Sequence, residues 1–162
     1  MFNLRSSLYL KLIFTISLIA IIVAYFIEYA LGYQPCNLCL LERIPYGLSI
    51  ILISIIFISK RNEKFFILLL ALIFTFSFLI STYHLGIEQG FIKESSVCGL
   101  KNVVETISKE ELLKQLNTIN ISCKDVTFKV FGLSLTGINM LLSLMITAIT
   151  IKTFISYEKN KL

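Results

Sequence analysis

Four apolar runs separated by polar gaps organise this chain: about Leu8 to Leu31, Ile44 to Ser59, Phe65 to about Leu85, and Phe131 to Ile151. A helix needs roughly 17 to 25 apolar residues to cross a hydrocarbon core, and the first, third and fourth runs meet that outright. The second reaches the length if its helix begins near Cys39 and lets Arg43 snorkel or face the bundle interior. The pattern predicts an all-α, polytopic membrane protein. Residues 1–162 form a single integral membrane domain, a four-helix transmembrane bundle whose loops at about 32–43 and 86–130 lie on one side. Within the longer loop, Ser108-Lys109-Glu110-Glu111 is a capping box, Ile107 and Leu112 are placed for a hydrophobic staple, and Leu113, Leu116 and Ile119 continue an apolar stripe. These residues predict a short amphipathic helix, resting on the membrane surface or packed on the bundle.

Composition agrees: 56% of residues are hydrophobic and only 15% are charged, with a mean hydropathy of +0.83, well outside the soluble range. The net charge of +5 would suggest nucleic acid or an anionic surface as partner in a soluble protein. Here it is an orientation signal, and no basic nucleic-acid patch is present. Arg5, Lys11, Lys60, Arg61, Lys64, Lys152, Lys159 and Lys161 lie at the termini and the second gap, opposed only by Glu63 and Glu158. The other two gaps and the run ends facing them are slightly acidic. Basic residues are retained on the cytoplasmic side, so both termini are expected there and both cysteine-bearing loops outside. A cleaved signal peptide, with Ala30-Leu31-Gly32 at its end, is the competing reading of the first run. That run is about twice the usual h-region length, and Tyr25, Glu28 and Tyr29 interrupt its end, which suits an uncleaved span with interfacial aromatics.

All the cysteines fall in those two external gaps. Cys36 and Cys39 form a Cys-x-x-Cys at the mouth of the second run, and Cys98 and Cys123 lie far apart in the longest gap. On an oxidising face of a bacterial membrane, thiols persist as disulfides. The sequence alone leaves three connectivities open, of which Cys36 with Cys39 and Cys98 with Cys123 is favoured. A Cys-x-x-Cys bond closes so short a loop that it adds little as a structural staple. Such bonds are more often redox active, and a dithiol beside a lipid phase can pass electrons to a lipid-soluble carrier. Inert staples are one alternative. A four-thiolate zinc site is another, but it usually wants two close pairs, so no metal is expected.

Arg43 stands four residues after Cys39, one turn along the same helix face. Its cation, with the positive end of the helix, would favour a Cys39 thiolate, and its donor fork suits a carbonyl oxygen at the bilayer edge. The bland reading is a boundary arginine that snorkels to headgroups. Glu42 is expected to be a solvated headgroup contact, since adjacent helical residues point apart. Pro45 is placed in a first helical turn. His84, the only histidine, is either structural or a proton-relay or acceptor contact. A bis-histidine haem is excluded.

At these residues the chain resembles the disulfide bond formation protein B (DsbB) family. The similar segments are Pro35-Cys36-Asn37-Leu38-Cys39-Leu40-Leu41-Glu42-Arg43-Ile44-Pro45-Tyr46, Tyr83-His84-Leu85-Gly86-Ile87-Glu88-Gln89-Gly90, and Phe131-Gly132-Leu133-Ser134-Leu135-Thr136-Gly137 with Asn139. The resemblance implies a protein-disulfide:quinone oxidoreductase of the bacterial inner membrane. A reduced periplasmic DsbA-type thioredoxin-fold protein would attack a Cys98–Cys123 disulfide. Electrons would pass to Cys36 and Cys39, then to ubiquinone or menaquinone held by Arg43, with His84 nearby. Tyr83 and Gln89 stand where many relatives carry tryptophan, and the usual prolines ahead of the third cysteine are absent. Two rivals are a thiol–quinone oxidoreductase like vitamin K epoxide reductase and a non-enzymatic membrane scaffold with structural disulfides. In the former the redox pair is expected near the end of a later span. The latter, read as a transporter subunit, would want paired intramembrane charges, and the runs display none.

Overall fold

The computed structural model of the protein describes residues 4–59, 63–93, 98, 122–124, 128–130 and 132–159. The amphipathic helix expected around Ser108 to Ile119 lies outside the described residues. Four long helices carry the fold: α1 (Leu4–Tyr29), α2 (Asn37–Ser59), α3 (Glu63–Glu88) and α4 (Leu135–Lys159). Each is long and apolar enough to cross a membrane, so the protein is a multi-pass membrane protein with an all-helical, four-helix architecture. A two-pair antiparallel hairpin, β1 (Lys129–Val130) with β2 (Leu133–Ser134), leads into α4.

Successive helices pack side by side, and α1 also touches α4, which closes the bundle. Its core draws Leu10 and Ile13 from α1, Tyr46, Ile53 and Ile56 from α2, Leu70 and Phe74 from α3, and Ile146 from α4. Around that core the outward faces remain apolar: Ile22, Phe26, Leu72, Phe76 and Leu79 are all exposed. Such a surface suits hydrocarbon, where lipid is as apolar as leucine and helices gain from close contact and interhelical hydrogen bonds. Those bonds are present. Ser49 Oγ donates to Ser17 Oγ at 2.8 Å, joining α2 to α1, and Ser77 and Ser143 hydroxyls meet at 2.9 Å between α3 and α4.

Most helix boundaries differ by a few residues from the apolar runs, and three of the shifts bear on the site. The second helix starts at Asn37, not Ile44, because Cys36 caps it: the Cys36 carbonyl accepts from the Leu40 N–H at 3.1 Å and its sulfur from the Cys39 N–H at 3.2 Å. A side chain that accepts from the third helical residue satisfies one of the end's orphan donors. Pro45 therefore lies in the helix interior, not in its first turn. Its missing N–H leaves the Leu41 carbonyl without the usual bond. The third helix runs on to Glu88, carrying His84 and Glu88 inside it. The fourth begins at Leu135, where Ser134 Oγ caps it by accepting from the Gly137 N–H at 3.1 Å. Gly132, at φ 84°, makes the turn before it, in a region that side chains with a Cβ avoid.

Candidate active site

The ends of the four helices that carry Tyr29, Asn37, Glu88 and Leu135 meet at one end of the bundle, and all the cysteines are there. Cys36 sits at the N-terminus of α2, where the helix dipole and free N–H groups favour negative charge. It is buried, at 5% exposure. Its sulfur is 2.6 Å from that of Cys39, both being free thiols, and 3.6 Å from His84 Nε2. These surroundings hold the Cys36 thiol far below its ordinary range, at about 5. The hydrogen bond from the Cys39 thiol contributes most; burial opposes it, and the hydrogen bond and charge of His84 add to it.

His84 is itself held from behind. Its Nδ1 lies 3.0 Å from Glu42 Oε1 and 3.3 Å from Thr136 Oγ1. Glu42 Oε2 accepts from Asn139 Nδ2 at 2.9 Å; the same amide donates to Ser81 Oγ at 2.7 Å, and Asn139 Oδ1 accepts from the Tyr46 hydroxyl. Thr136 donates to Glu88 Oε1 at 2.6 Å. With Nδ1 donating to the carboxylate, Nε2 is the nitrogen left to face sulfur. Such an imidazole can take a thiol proton and then neutralise the thiolate as an ion pair. The arrangement is thiol, imidazole and carboxylate in line, supplied by α2, α3 and α2 again.

Cys39 faces the other way. It lines a cavity of about 190 Å³ between α1, α2 and α4. Apolar residues such as Ala24, Ile27 and Leu142 make most of its wall, and Glu42, Arg43, Tyr46 and Asn139 reach it as polar groups. A mostly apolar cleft with a few convergent polar groups is the usual form of a small-molecule site.

Cys98 and Cys123 form a disulfide with a Cα–Cα separation of 5.3 Å. Both are 2% exposed and share one apolar cluster with Cys36, Leu38 and Ile87, against which Cys39 and Tyr83 pack. The two cysteine pairs, remote in sequence, are thus parts of one packed unit.

Two expectations from the sequence are corrected here. Glu42 is not a headgroup contact: it is 7% exposed and bonded to His84 and Asn139. Arg43 is not a lone cation beside Cys39. Its guanidinium pairs with Glu28 of α1 and lies 5.1 Å from the Tyr25 ring centroid, where a cation is drawn to the ring's face. The partners come from different helices, so neither pair shows in one helix's spacing. A signal was present: an acid and a base buried toward the same end of successive runs must find partners in a low-dielectric phase. Glu28, Glu88, Thr136 and Tyr46 join the neighbourhood without having been singled out as site residues.

Comparison with known proteins accords with this geometry. A family model described as Disulfide bond formation protein DsbB matches residues 6–153. An uncharacterized protein of Rickettsia prowazekii (strain Madrid E), RP370, is 32% identical over 132 residues, covering 80% of this chain and 77% of that protein. No solved structure matches. The match spans all four helices, the Cys-x-x-Cys cap and the loop disulfide, and on that basis this chain belongs to the DsbB family of membrane proteins of disulfide bond formation.

Proposed function

We propose that this member of the family is a thiol oxidase that uses membrane quinone to reoxidise a DsbA-type thioredoxin-fold protein. The supporting observation is the polarity of the Cys-x-x-Cys pair. Cys36 belongs to the cluster that contains the Cys98–Cys123 disulfide, while Cys39, which packs against that cluster, is the one of the pair that also lines the apolar cavity.

In this reading the partner's thiolate attacks the Cys98–Cys123 disulfide, and the freed loop thiolate attacks the Cys36–Cys39 disulfide at Cys36. Each exchange breaks one S–S bond and forms another, and attack falls on Cys36 because it shares the cluster of the loop disulfide. Cys39 leaves in that step as a thiolate at the wall of the cavity. A quinone bound there supplies an acceptor for two electrons and two protons. Fit rests on the cavity's apolar wall and on the polar edge formed by Arg43, Tyr46 and Asn139, which suits an aromatic ring with carbonyl oxygens. Glu28 fixes the Arg43 fork, and the Glu42–His84 pair holds a proton beside Cys36. Which quinone is taken, ubiquinone or menaquinone, is set by how the ring fills that wall.

The slight acidity of the gaps bearing the cysteines and the basic termini orient the protein with both termini cytoplasmic and the cysteines periplasmic in a bacterial inner membrane. That face is where a DsbA-type partner works.

The test is the loss of quinone absorbance when a reduced DsbA-type protein is supplied to the purified, detergent-solubilised chain. Loss that disappears in each of the Cys36→Ser, Cys39→Ser, Cys98→Ser and Cys123→Ser variants is expected. Full turnover in Cys39→Ser, or none with either quinone in the native protein, would overturn the reading and return weight to a disulfide-stapled scaffold.

A further inference from the structure

The same end of the bundle offers a donor set that electron transfer leaves unexplained. Cys36, Cys39 and His84 each present one ligand atom, and the three atoms lie within 4.8 Å of one another. Metal–sulfur and metal–nitrogen bonds of about 2.3 and 2.0 Å, at a tetrahedral angle, set a sulfur–nitrogen edge near 3.5 Å. Cys36 Sγ and His84 Nε2 are 3.6 Å apart. The sulfur–sulfur edge of such a site is about 3.8 Å; the sulfurs stand at 2.6 Å and must part by roughly an ångström, which Cys39 can do by turning toward the cavity it lines.

Beyond the donors there is a supporting shell. A metal-binding histidine characteristically gives its other nitrogen to a carboxylate, which fixes its orientation and raises its basicity. Here Glu42 Oε1 lies 3.0 Å from His84 Nδ1, and Asn139 holds the second oxygen of the same carboxylate. Glu88 adds charge on the other side: Oε1 is 4.0 Å from His84 Nε2, and Oε2 is buried with no hydrogen-bond partner among the described atoms. A buried carboxylate oxygen without a donor is costly unless something positive arrives.

We propose that Cys36, Cys39 and His84 form a redox-gated, three-ligand site for a borderline-soft divalent cation of the zinc type, with the Glu88 carboxylate adding charge nearby. Thiolate and imidazole donors in a buried tetrahedral set select zinc-like ions over magnesium or calcium. Binding forms two metal–sulfur bonds and a metal–nitrogen bond and releases the remaining thiol protons to solvent; no electron moves. Gating follows from valence, because the disulfide has no thiolate to offer. An ion in this site locks the pair in its reduced state and stops turnover. The inference extends the proposed function, since it uses the same two sulfurs. It also differs from a four-cysteine zinc site: the folded chain substitutes one imidazole for the distant cysteine pair.

The experiment uses full-length Cys98→Ser/Cys123→Ser protein in detergent, reduced and freed of reductant, so that Cys36 and Cys39 are its only thiols. Cobalt(II) is titrated as the spectroscopic probe and zinc(II) is used to displace it. One cobalt per chain, with a thiolate charge-transfer band and tetrahedral ligand-field bands that zinc abolishes, is expected. His84→Gln should weaken binding at least tenfold, and Glu42→Gln about tenfold through loss of the orienting carboxylate. Oxidising the pair should remove binding altogether. Absence of the bands, equal affinity in both variants, or equal binding by the oxidised protein would overturn the proposal. Binding with these dependences in a protein that reduces no quinone would support the site while contradicting the proposed function.

Discussion

At the scale of single residues, the decisive feature is that charged groups at the cysteine end of the bundle are committed to partners on other helices. Arg43 is paired with Glu28, and removing one partner strands the other in a low-dielectric setting. For fully buried pairs that costs roughly 3–5 kcal/mol. Both side chains here keep some exposure, at 18% and 16%, so a smaller loss is expected. Arg43→Ala should lower the unfolding temperature in detergent, and Glu28→Gln in the same chain should restore much of it. Quinone dependence should not recover: the apparent KM for quinone rises in Arg43→Ala and stays high in the double variant, while partner dependence changes little. A double variant with native quinone KM would remove Arg43 from the acceptor site.

Glu42 is the second residue-scale test. It accepts from both His84 and Asn139, so Glu42→Ala removes one bond from each of two buried groups that keep a second contact, to Thr136 and Ser81 respectively, at about 1–2 kcal/mol each. Its thermal unfolding in detergent should show a loss of about 2–4 kcal/mol, whereas a solvated headgroup contact would show almost none. The size of the loss therefore measures how buried this carboxylate is in the bilayer-embedded protein.

At the scale of elements, caps set where the helices start and hence which residues reach the site. Ser134 caps α4, and two residues later Thr136 touches His84 and Glu88. Ser134→Ala should cost about 1 kcal/mol, read from the unfolding midpoint, and should also reduce turnover by loosening Thr136 and Asn139. A Gly132→Ala change isolates backbone strain. Nothing lies within 4 Å of the added Cβ, so the expected loss of about 1–2 kcal/mol comes from φ alone; an unchanged midpoint would show that the turn readjusts. The apolar runs made the helices legible, because hydrocarbon admits little else, but not their starts. The second run reads as beginning at Ile44 since Asn37, Glu42 and Arg43 lower the hydropathy ahead of it, yet those are residues that α2 holds at its capped end. Likewise the last run reads as beginning at Phe131, and it is the Gly132 turn and the Ser134 cap that set the start of α4 at Leu135.

Across the whole molecule, the gathering of the cysteines at one end of the bundle was legible and their neighbours were not. Cys-x-x-Cys spacing and sidedness are visible in one dimension. That Cys36 packs in the same cluster as Cys98 and Cys123, and that His84 bridges Cys36 to Glu42, depends on α3 lying against α2 at the proper depth. Burial explains the misreading of Glu42: spacing within one helix says nothing of an imidazole arriving from another. The organisation makes a directional prediction. Cys98→Ser should leave the Cys36–Cys39 pair able to reach its oxidised state with quinone, yet block electron entry from the partner, as alkylation of each thiol after addition of reduced partner would show.

The central claim is that electrons cross from the loop disulfide to the Cys-x-x-Cys pair through Cys36. The most direct measurement is to mix the native protein, both disulfides formed and no quinone present, with a reduced DsbA-type partner that keeps only its attacking cysteine, quench with acid, block free thiols and map the disulfides by mass spectrometry. A trapped bond between Cys36 and Cys98 or Cys123, absent without the partner, is the predicted result. A loop bonded to the partner with Cys36 remaining joined to Cys39 throughout would contradict the relay.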